Sequence, residues 1–583
     1  MKLWKKIIKD SVPMDIRLKT KLFNRLNRIY QKKLTEKWLD DFIDFVEAHK
    51  NQHPKRQEIW NERKVILITY GDVLKTEGES PLETLRHFCN NYLRGCISTI
   101  HILPFFPSSS DDGFSVMDFY QVNPDLGDWK DIEALEKDFV LMADLVANHA
   151  SSQGVWFKQF LSNEAPGKDY FFCPPADFDS SQVIRPRSSP LLTPFETADG
   201  PKKVWTTFSA DQVDLNYANP EVLKEMLHVF LFYLSKGIRV IRLDAIAFLW
   251  KTSGTACIHE PETHEVVSLF REIMDYCYPG ALLLTETNVP HKENITYFGL
   301  GDEAHLIYQF ALPPLLLHAL HWGNGDHLTQ WAKELGGTQE GMTYLNFTSS
   351  HDGIGVRPLE GIIPEAEISA MIEKLKALGA RVTTRKLGRR EVPYEINVTY
   401  FDALKGTKDG LDEFQVARFL QSQTIMLSLQ GVPAFYFLNL FGIENDEKGV
   451  EATGINRSIN RRKFKLEELT SLWKERPVHQ TILKELSFRT GIRRNMAAFS
   501  PDTQQLVLKL GSSFFGILRK TNRMENSVVC IYNLTNRKQK LALPPGLMEF
   551  SRDLLTRTLL DTEKIELKPY QSLWLITRFL LPK

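Results

Sequence analysis

Gly237-Ile-Arg-Val-Ile-Arg-Leu-Asp-Ala-Ile-Ala-Phe248 is the stretch from which the fold can be read. Ile238, Val240, Ile241 and Leu243 make a short, nearly continuous apolar run. That is the pattern of a strand covered on both faces of a parallel sheet. Arg242 and Asp244 stand at its carboxyl end, where an α/β barrel carries its chemistry. A carboxylate beside an arginine two residues earlier can be held ionised by the positive charge. It can then act as a nucleophile. The same two residues also make sense as a structural ion pair at a strand end.

Outward from this strand, two more strands close on acids. Ala281-Leu-Leu-Leu-Thr-Glu286 ends in a carboxyl group, and Tyr344-Leu-Asn-Phe-Thr-Ser-Ser-His351-Asp352-Gly353 runs into a His–Asp pair. Strand runs are readable at Val65–Tyr70, Ile97–Pro104, Val140–Val146, Ile238–Leu243, Ala281–Glu286, His305–Phe310, Thr343–Phe347 and Pro433–Phe437, with helical periods between most of them. Eight strands with crossovers predict a (β/α)8 TIM barrel. Asp244, Glu286 and Asp352 would each close a separate strand of it. Retaining glycoside chemistry needs a nucleophilic carboxylate and a second carboxyl group that gives and takes a proton. A third carboxylate can bind sugar hydroxyls and stabilise positive charge growing on the anomeric carbon.

The rest of the chain adds segments to the barrel. Residues 1–63 read as an N-terminal helical extension, with Leu18, Leu22, Leu26 and Tyr30, then Trp38, Phe42 and Phe45, at helical spacing. The barrel is expected over 64–498. Two connections in it are too long for plain loops: 150–218 after the third strand and 353–406 after the seventh. Connections of that length usually carry function, and both leave the face where the strands end, so both can roof a site there. From 499 to 583 the runs Leu506-Val-Leu-Lys-Leu, Ser527-Val-Val-Cys-Ile-Tyr-Asn and Ser572-Leu-Trp-Leu-Ile-Thr predict a small antiparallel β domain.

Composition excludes several classes. Lys plus Arg equals Asp plus Glu at 72 each, so no global attraction to nucleic acid or anionic membrane is expected. The chain is 43% hydrophobic and 25% charged, ordinary for a globular protein. Six scattered cysteines without a Cys-x-x-Cys pair fit buried thiols in a reducing cytoplasm better than disulfides or a zinc site. Met1-Lys-Leu-Trp-Lys-Lys-Ile-Ile-Lys-Asp10 is basic, without the long apolar core of a signal peptide. No local spacing reads as a calcium or zinc motif, and no cofactor is expected.

The motifs then carry a resemblance. Arg242-Leu243-Asp244, Glu286 and His351-Asp352, with Asp144-Leu-Val-Ala-Asn148-His149 upstream, resemble the α-amylase superfamily of retaining glycosidases and transglycosylases, glycoside hydrolase family 13. Val65-Ile-Leu-Ile-Thr-Tyr70, His101-Ile-Leu-Pro-Phe-Phe106, Asp111-Asp-Gly-Phe114, Tyr308-Gln-Phe-Ala-Leu-Pro-Pro-Leu-Leu-Leu-His318, His351-Asp-Gly-Ile-Gly355 and Asn456-Arg-Ser-Ile-Asn-Arg461 resemble its sucrose phosphorylase branch. Thr285-Glu-Thr-Asn-Val-Pro-His-Lys-Glu-Asn294 and Pro393-Tyr-Glu-Ile-Asn-Val-Thr-Tyr400 are most similar to the glucosylglycerate phosphorylases within it.

The resemblance implies roles. Asp244 would be the nucleophile, Glu286 the general acid and base, and Asp352 the transition-state stabiliser. His149 and His351 would bind sugar hydroxyls. Asp111 and Arg457 would grip the 4-OH edge of one glucosyl unit, and Phe114 would either stack under the sugar or belong to the core. Arg187 and Tyr394 match phosphate-site residues, although Arg187 also reads as a loop tether. Glu395 and Asn288 stand where sucrose phosphorylases carry Gln and His, so the acceptor side departs from sucrose. The implied activity is phosphorolysis of a small α-glucoside, 2-O-α-glucosylglycerate first, to α-glucose 1-phosphate. The alternatives are a glucosylglycerol, sucrose or sucrose 6-phosphate phosphorylase, a retaining α-glucosidase, or a non-catalytic barrel. The expected partners are the α-glucoside and inorganic phosphate, with no nucleic acid or membrane; the oligomeric state is not readable.

Overall fold

A computed structural model describes residues 14–50, 60–387 and 390–577; the basic stretch Met1–Asp10 lies outside them. Two helices come first, α1 (Ile16–Ile29) and α2 (Glu36–Ala48). Asp15 and Thr35 cap their N-termini through side-chain oxygens, which satisfies otherwise orphaned backbone donors. Eight strands follow: β1 (Ile66–Thr69), β2 (Thr99–Ile102), β3 (Val140–Val146), β4 (Ile238–Asp244), β5 (Leu282–Thr285), β6 (Leu306–Tyr308), β7 (Thr343–Phe347) and β8 (Val432–Tyr436). They close into a parallel barrel in the order β1-β8-β7-β6-β5-β4-β3-β2, the expected TIM barrel. Each expected run contains or overlaps one of these strands.

β4 shows why the apolar run became a strand. All its residues but Arg239 are buried, and it pairs on both sides, with Asp144 opposite Arg242 on β3 and Leu284 opposite Arg242 on β5. Gly237 turns the chain into it at φ +93°, where a Cβ would meet the Glu136 Cγ at 2.8 Å. Only a residue without a side chain fits that turn at low cost.

The chain divides into two compact units. In the first, Ile102–Thr287 and Ile295–Ile307 are joined by α1 and α2. Helix α3 (Pro261–Cys277) receives α1 and α2. The connection after β3 opens with His149–Ser151 paired antiparallel to Gln212–Asp214, and carries the hairpin of Leu192–Thr197 and Gly200–Trp205.

In the second unit, helices α4 (Leu312–Trp322) and α5 (Asp326–Glu334) follow β6. After β7 come α6 (Glu365–Ala377) and a three-stranded sheet of Ile354–Gly355, Arg390–Asn397 and Arg381–Leu387. The chain closes with a five-stranded antiparallel sheet, Gln504–Val507, Phe514–Lys520, Val528–Asn533, Ser572–Thr577 and Phe550–Asp553 in spatial order. Its core includes Phe514, Val529, Ile531, Phe550 and Leu575. All six cysteines are free thiols, and Cys173 alone of them is not fully buried. No helix among the described residues is long and apolar enough to cross a membrane.

Candidate active site

In the first unit the carboxyl ends of β3, β4 and β5 bring charged side chains together. Arg242 Nη1 donates to Asp144 Oδ1 and, at 2.7 Å, to Asp244 Oδ1. One guanidinium thus bridges two carboxylates, which favours their ionised forms. The Asp144 side chain is fully buried, Arg242 is 3% exposed and Asp244 is 11% exposed. A ligand therefore reaches Asp244 rather than the other two.

The turn after Asp244 links it to Glu286. Ala245 lies at φ +53°, a conformation that costs a non-glycine residue roughly 1–2 kcal/mol. In that turn the Ala245 N–H donates to Glu286 Oε2 at 3.1 Å, while the Glu286 N–H donates to the Leu243 carbonyl at 3.0 Å. One Glu286 oxygen is thereby tied to the backbone beside Asp244.

Phe114 is buried, and the Arg242 guanidinium lies 5.8 Å from its ring centre. The structure thus packs it beneath the arginine. His149 Nε2 donates to the Phe114 carbonyl at 2.9 Å, and its Nδ1 receives the Asn148 amide at 3.4 Å. Burial lowers the His149 pKa, which favours the neutral ring. Asp111 and Asp112 both have positive φ, 52° and 48°, in a tight turn. Arg187 sits 6.0 Å from the Phe208 ring centre, and Phe208 in turn packs on His149 at 5.2 Å.

The second unit holds the other candidates. His351 Nε2 lies 3.5 Å from Asp352 Oδ1. Arg457 Nη1 lies 2.7 Å from the same Asp352 oxygen. Arg457 also holds Glu395 with two parallel bonds, Nε to Oε1 at 2.9 Å and Nη2 to Oε2 at 2.8 Å. Glu395 is buried, so its charge is met by a forked guanidinium. Asn460 Nδ2 donates to the backbone carbonyls of Ser350 and Asp352, and Arg461 Nε to that of His351, which fixes the His-Asp turn.

Tyr394 and Glu395 lie on the strand Arg390–Asn397. Its neighbour pairs Thr383 with Glu395 and Thr384 with Pro393, so Tyr394 is the extra residue of a β-bulge. Bulges re-aim a side chain and are frequent beside active sites. Gly355 lies opposite Glu395, and a Cβ there would meet Asn288 Oδ1 at 2.6 Å. Asn288 is therefore seated against the backbone of this sheet.

Three groups escaped the sequence reading. Asp214 is fully buried and accepts from Asn148 Nδ2, the Thr207 backbone and hydroxyl, and Lys251 at 2.8 Å, which secures the strand carrying His149. Asp211 collects the hydroxyls of Ser109, Ser110, Ser115 and Ser152. Burial opposes its charge, but these hydroxyls hold its pKa below the usual carboxylate range. Arg185, two residues before Arg187, has its Nε and Nη2 buried with no hydrogen-bond partner among the described residues. The serine runs Ser108-Ser109-Ser110 and Ser151-Ser152, close to Asp111 and His149, were the available sequence signal for Asp211.

The family model described as the α-amylase catalytic domain matches residues 91–352. A glucosylglycerate phosphorylase of Spirochaeta thermophila is 46% identical, covering 88% of this chain and 89% of its own. One of Escherichia coli is 42% identical over 96% of this chain and 100% of its own. The crystal structure of sucrose 6F-phosphate phosphorylase from Thermoanaerobacter thermosaccharolyticum superposes with a TM-score of 0.71 at 25% identity, covering 87% of this chain and 98% of that one. The barrel is thus of the α-amylase class. The chain belongs to glycoside hydrolase family 13, in the branch of the sucrose and glucosylglycerate phosphorylases.

Proposed function

We propose that the chain is a retaining phosphorylase that transfers the glucosyl unit of 2-O-α-glucosylglycerate to inorganic phosphate. The observation that carries the chemistry is the Asp244–Ala245–Glu286 arrangement. Asp244 is charge-paired with Arg242 and is its reachable partner, as a nucleophile needs to be. Glu286 is held on the backbone of the next residue, as an acid and base acting on the same glycosidic bond needs to be.

In this reading Asp244 attacks the anomeric carbon and displaces the glycerate oxygen, which takes its proton from Glu286. The product is a β-glucosyl ester of the enzyme. A phosphate oxygen then attacks that ester, Glu286 accepts the phosphate proton, and Asp244 leaves. Two inversions at one carbon return the α configuration. Asp352 stabilises the positive charge that grows on the anomeric carbon in the transition state of each step, with Arg457 fixing one of its oxygens. His351, His149, Asp111 and Phe114 form the sugar-binding surroundings.

Phosphate and glycerate are both anions, and cations suit both. Arg187, Arg185 and the bulged Tyr394 are the groups proposed for them. Glu395 would be ill placed beside an anionic acceptor on its own, and Arg457, which it shares with Asp352, pairs its carboxylate with a forked guanidinium. Asn288, seated against the same sheet, completes the acceptor side. Identity above 40% with two glucosylglycerate phosphorylases over most of the chain supports glycerate. The inserted segments 150–218 and 353–406 are proposed to roof the site, and a cytoplasmic location suits a phosphorylase that keeps its phosphorylated product.

The test is a donor screen in phosphate buffer that follows glucose 1-phosphate released from glucosylglycerate, glucosylglycerol, sucrose and sucrose 6-phosphate. Release is expected from glucosylglycerate with a kcat/KM well above the others. Equal rates with and without phosphate, giving free glucose, would point to a hydrolase.

A further inference from the structure

Tyr308-Gln-Phe-Ala-Leu-Pro-Pro-Leu-Leu-Leu-His318 was singled out in the sequence, yet the reaction makes no use of its last residue. His318 lies on α4 and is buried, stacked on Trp322 with ring centres 4.8 Å apart. Its Nε2 stands 2.9 Å from Glu367 Oε2, in the first turn of α6. His327 on α5 brings its own Nε2 to 3.4 Å from the same oxygen. The two imidazoles face each other edge to face, 5.3 Å apart.

An ordinary hydrogen bond accounts for one imidazole on a carboxylate oxygen. A carboxylate oxygen can accept from two N–H groups; two imidazole nitrogens from different helices converging on one oxygen is equally the arrangement of ligands around a shared cation. The separations agree. Ligand atoms about 2.1 Å from one ion stand about 3.0 Å apart at a right angle and about 3.4 Å apart at the tetrahedral angle. Among the described residues, these three side chains form the one group of histidine, cysteine or carboxylate ligands close enough to share an ion.

The geometry points to a divalent transition-metal site, zinc in the first instance, formed by His318, His327 and Glu367. Two imidazoles and a carboxylate are a common zinc donor set that leaves a fourth position for water, and the 30% exposure of His327 and 39% of Glu367 admit one. The site joins α4, α5 and α6. Because α6 packs on the strand Arg381–Leu387, whose partner strand carries Tyr394 and Glu395, the ion would brace the sheet that holds the acceptor-side residues. No local motif could show it, since the ligands come from three helices.

The test uses the full chain, stripped with a chelator and titrated with Zn2+ and with Co2+. One equivalent is expected to bind per chain. Co2+ should give the visible d–d band of mixed imidazole and carboxylate ligation, and Zn2+ should raise Tm. His327→Gln and Glu367→Gln, both at partly exposed positions, should keep the Tm of the stripped parent. Each should weaken binding more than about tenfold and lose the band. No saturable binding by the parent would overturn the site, as would binding of parent affinity in both variants. None of these readings depends on activity, so failure of the phosphorylase proposal leaves this test intact.

Discussion

Arg242 bridges the fully buried Asp144 and the partly open Asp244, so the two acids answer differently to substitution. Asp244→Asn leaves Arg242 charge-paired with Asp144. The variant should fold with a Tm near that of the parent while turnover falls by a factor on the order of 10³ or more, as when a nucleophile is removed elsewhere. Measuring Tm and rate on the same sample checks this, and activity within a few-fold of the parent would remove Asp244 from the nucleophile's role. Arg457 and Glu395 make a second residue-scale case, because their fork is directional and shielded. A double-mutant cycle of Arg457→Lys and Glu395→Gln, followed by denaturant unfolding, should show a coupling of about 1.5–3 kcal/mol. Additive effects would mean that the fork contributes nothing. The placement of Asp244 and Glu286 at strand ends was legible in the sequence because each closes a buried, mostly apolar strand, whereas Asp352 follows β7 only after the polar run 348–351. The Arg457–Glu395 fork was not legible, since 62 residues separate the partners and nothing local to either one names the other.

At the scale of elements, the barrel strands were legible for the same reason as β4, and the ends of several differ by a residue or two because hydrogen bonding, not apolarity, sets them. The turns between were harder. The bulge at Tyr394 depends on the register of two strands, although Pro393, which has no N–H to give to a ladder, was a signal for it. Asp211 organises another such region, tying the serines on either side of the Asp111 turn to the segment after β3 through hydroxyls. Its folded pKa is depressed. Its contribution to stability is therefore present above the ordinary carboxylate pKa of about 4 and is lost as the pH falls through the lower folded value. Asp211→Asn should lower Tm at neutral pH, and the gap between variant and parent should close as the pH drops below about 4. A gap that stays constant through acid would show that the carboxylate charge is not what holds the loops.

At the scale of the whole molecule, the helical segment before the barrel acquires a physical role. Arg25 on α1 is buried and bonded to Glu272 at 2.5 Å, Glu265 at 2.9 Å and Asp302 at 2.5 Å. Burial works against its charge, but the three carboxylates raise its pKa above the usual arginine value. This cluster fastens α1 to α3 within the first unit, and the Cys277 thiol adds a contact to the Val46 carbonyl of α2. Removing one member of a buried ionic cluster leaves the others uncompensated, at about 3–5 kcal/mol. Arg25→Ala should therefore lower Tm clearly while kcat at permissive temperature stays within about twofold, a small change beside the tenfold steps that mark a lost catalytic contact. A kcat that falls in step with stability would instead draw the N-terminal helices into the reaction. Their helical periodicity was readable; their attachment was not, because the carboxylates that anchor them lie some 240 to 277 residues further on.

The proposed reaction is a double displacement at one anomeric carbon, with phosphate as the second nucleophile. Proton NMR of the first sugar product formed from 2-O-α-glucosylglycerate in phosphate tests it directly, because the anomeric coupling separates the configurations before any equilibration. α-Glucose 1-phosphate as the first-formed product, absent with Asp244→Asn, is the expected result. A β anomer would contradict the two-step scheme, and free glucose in its place would contradict phosphate as the acceptor.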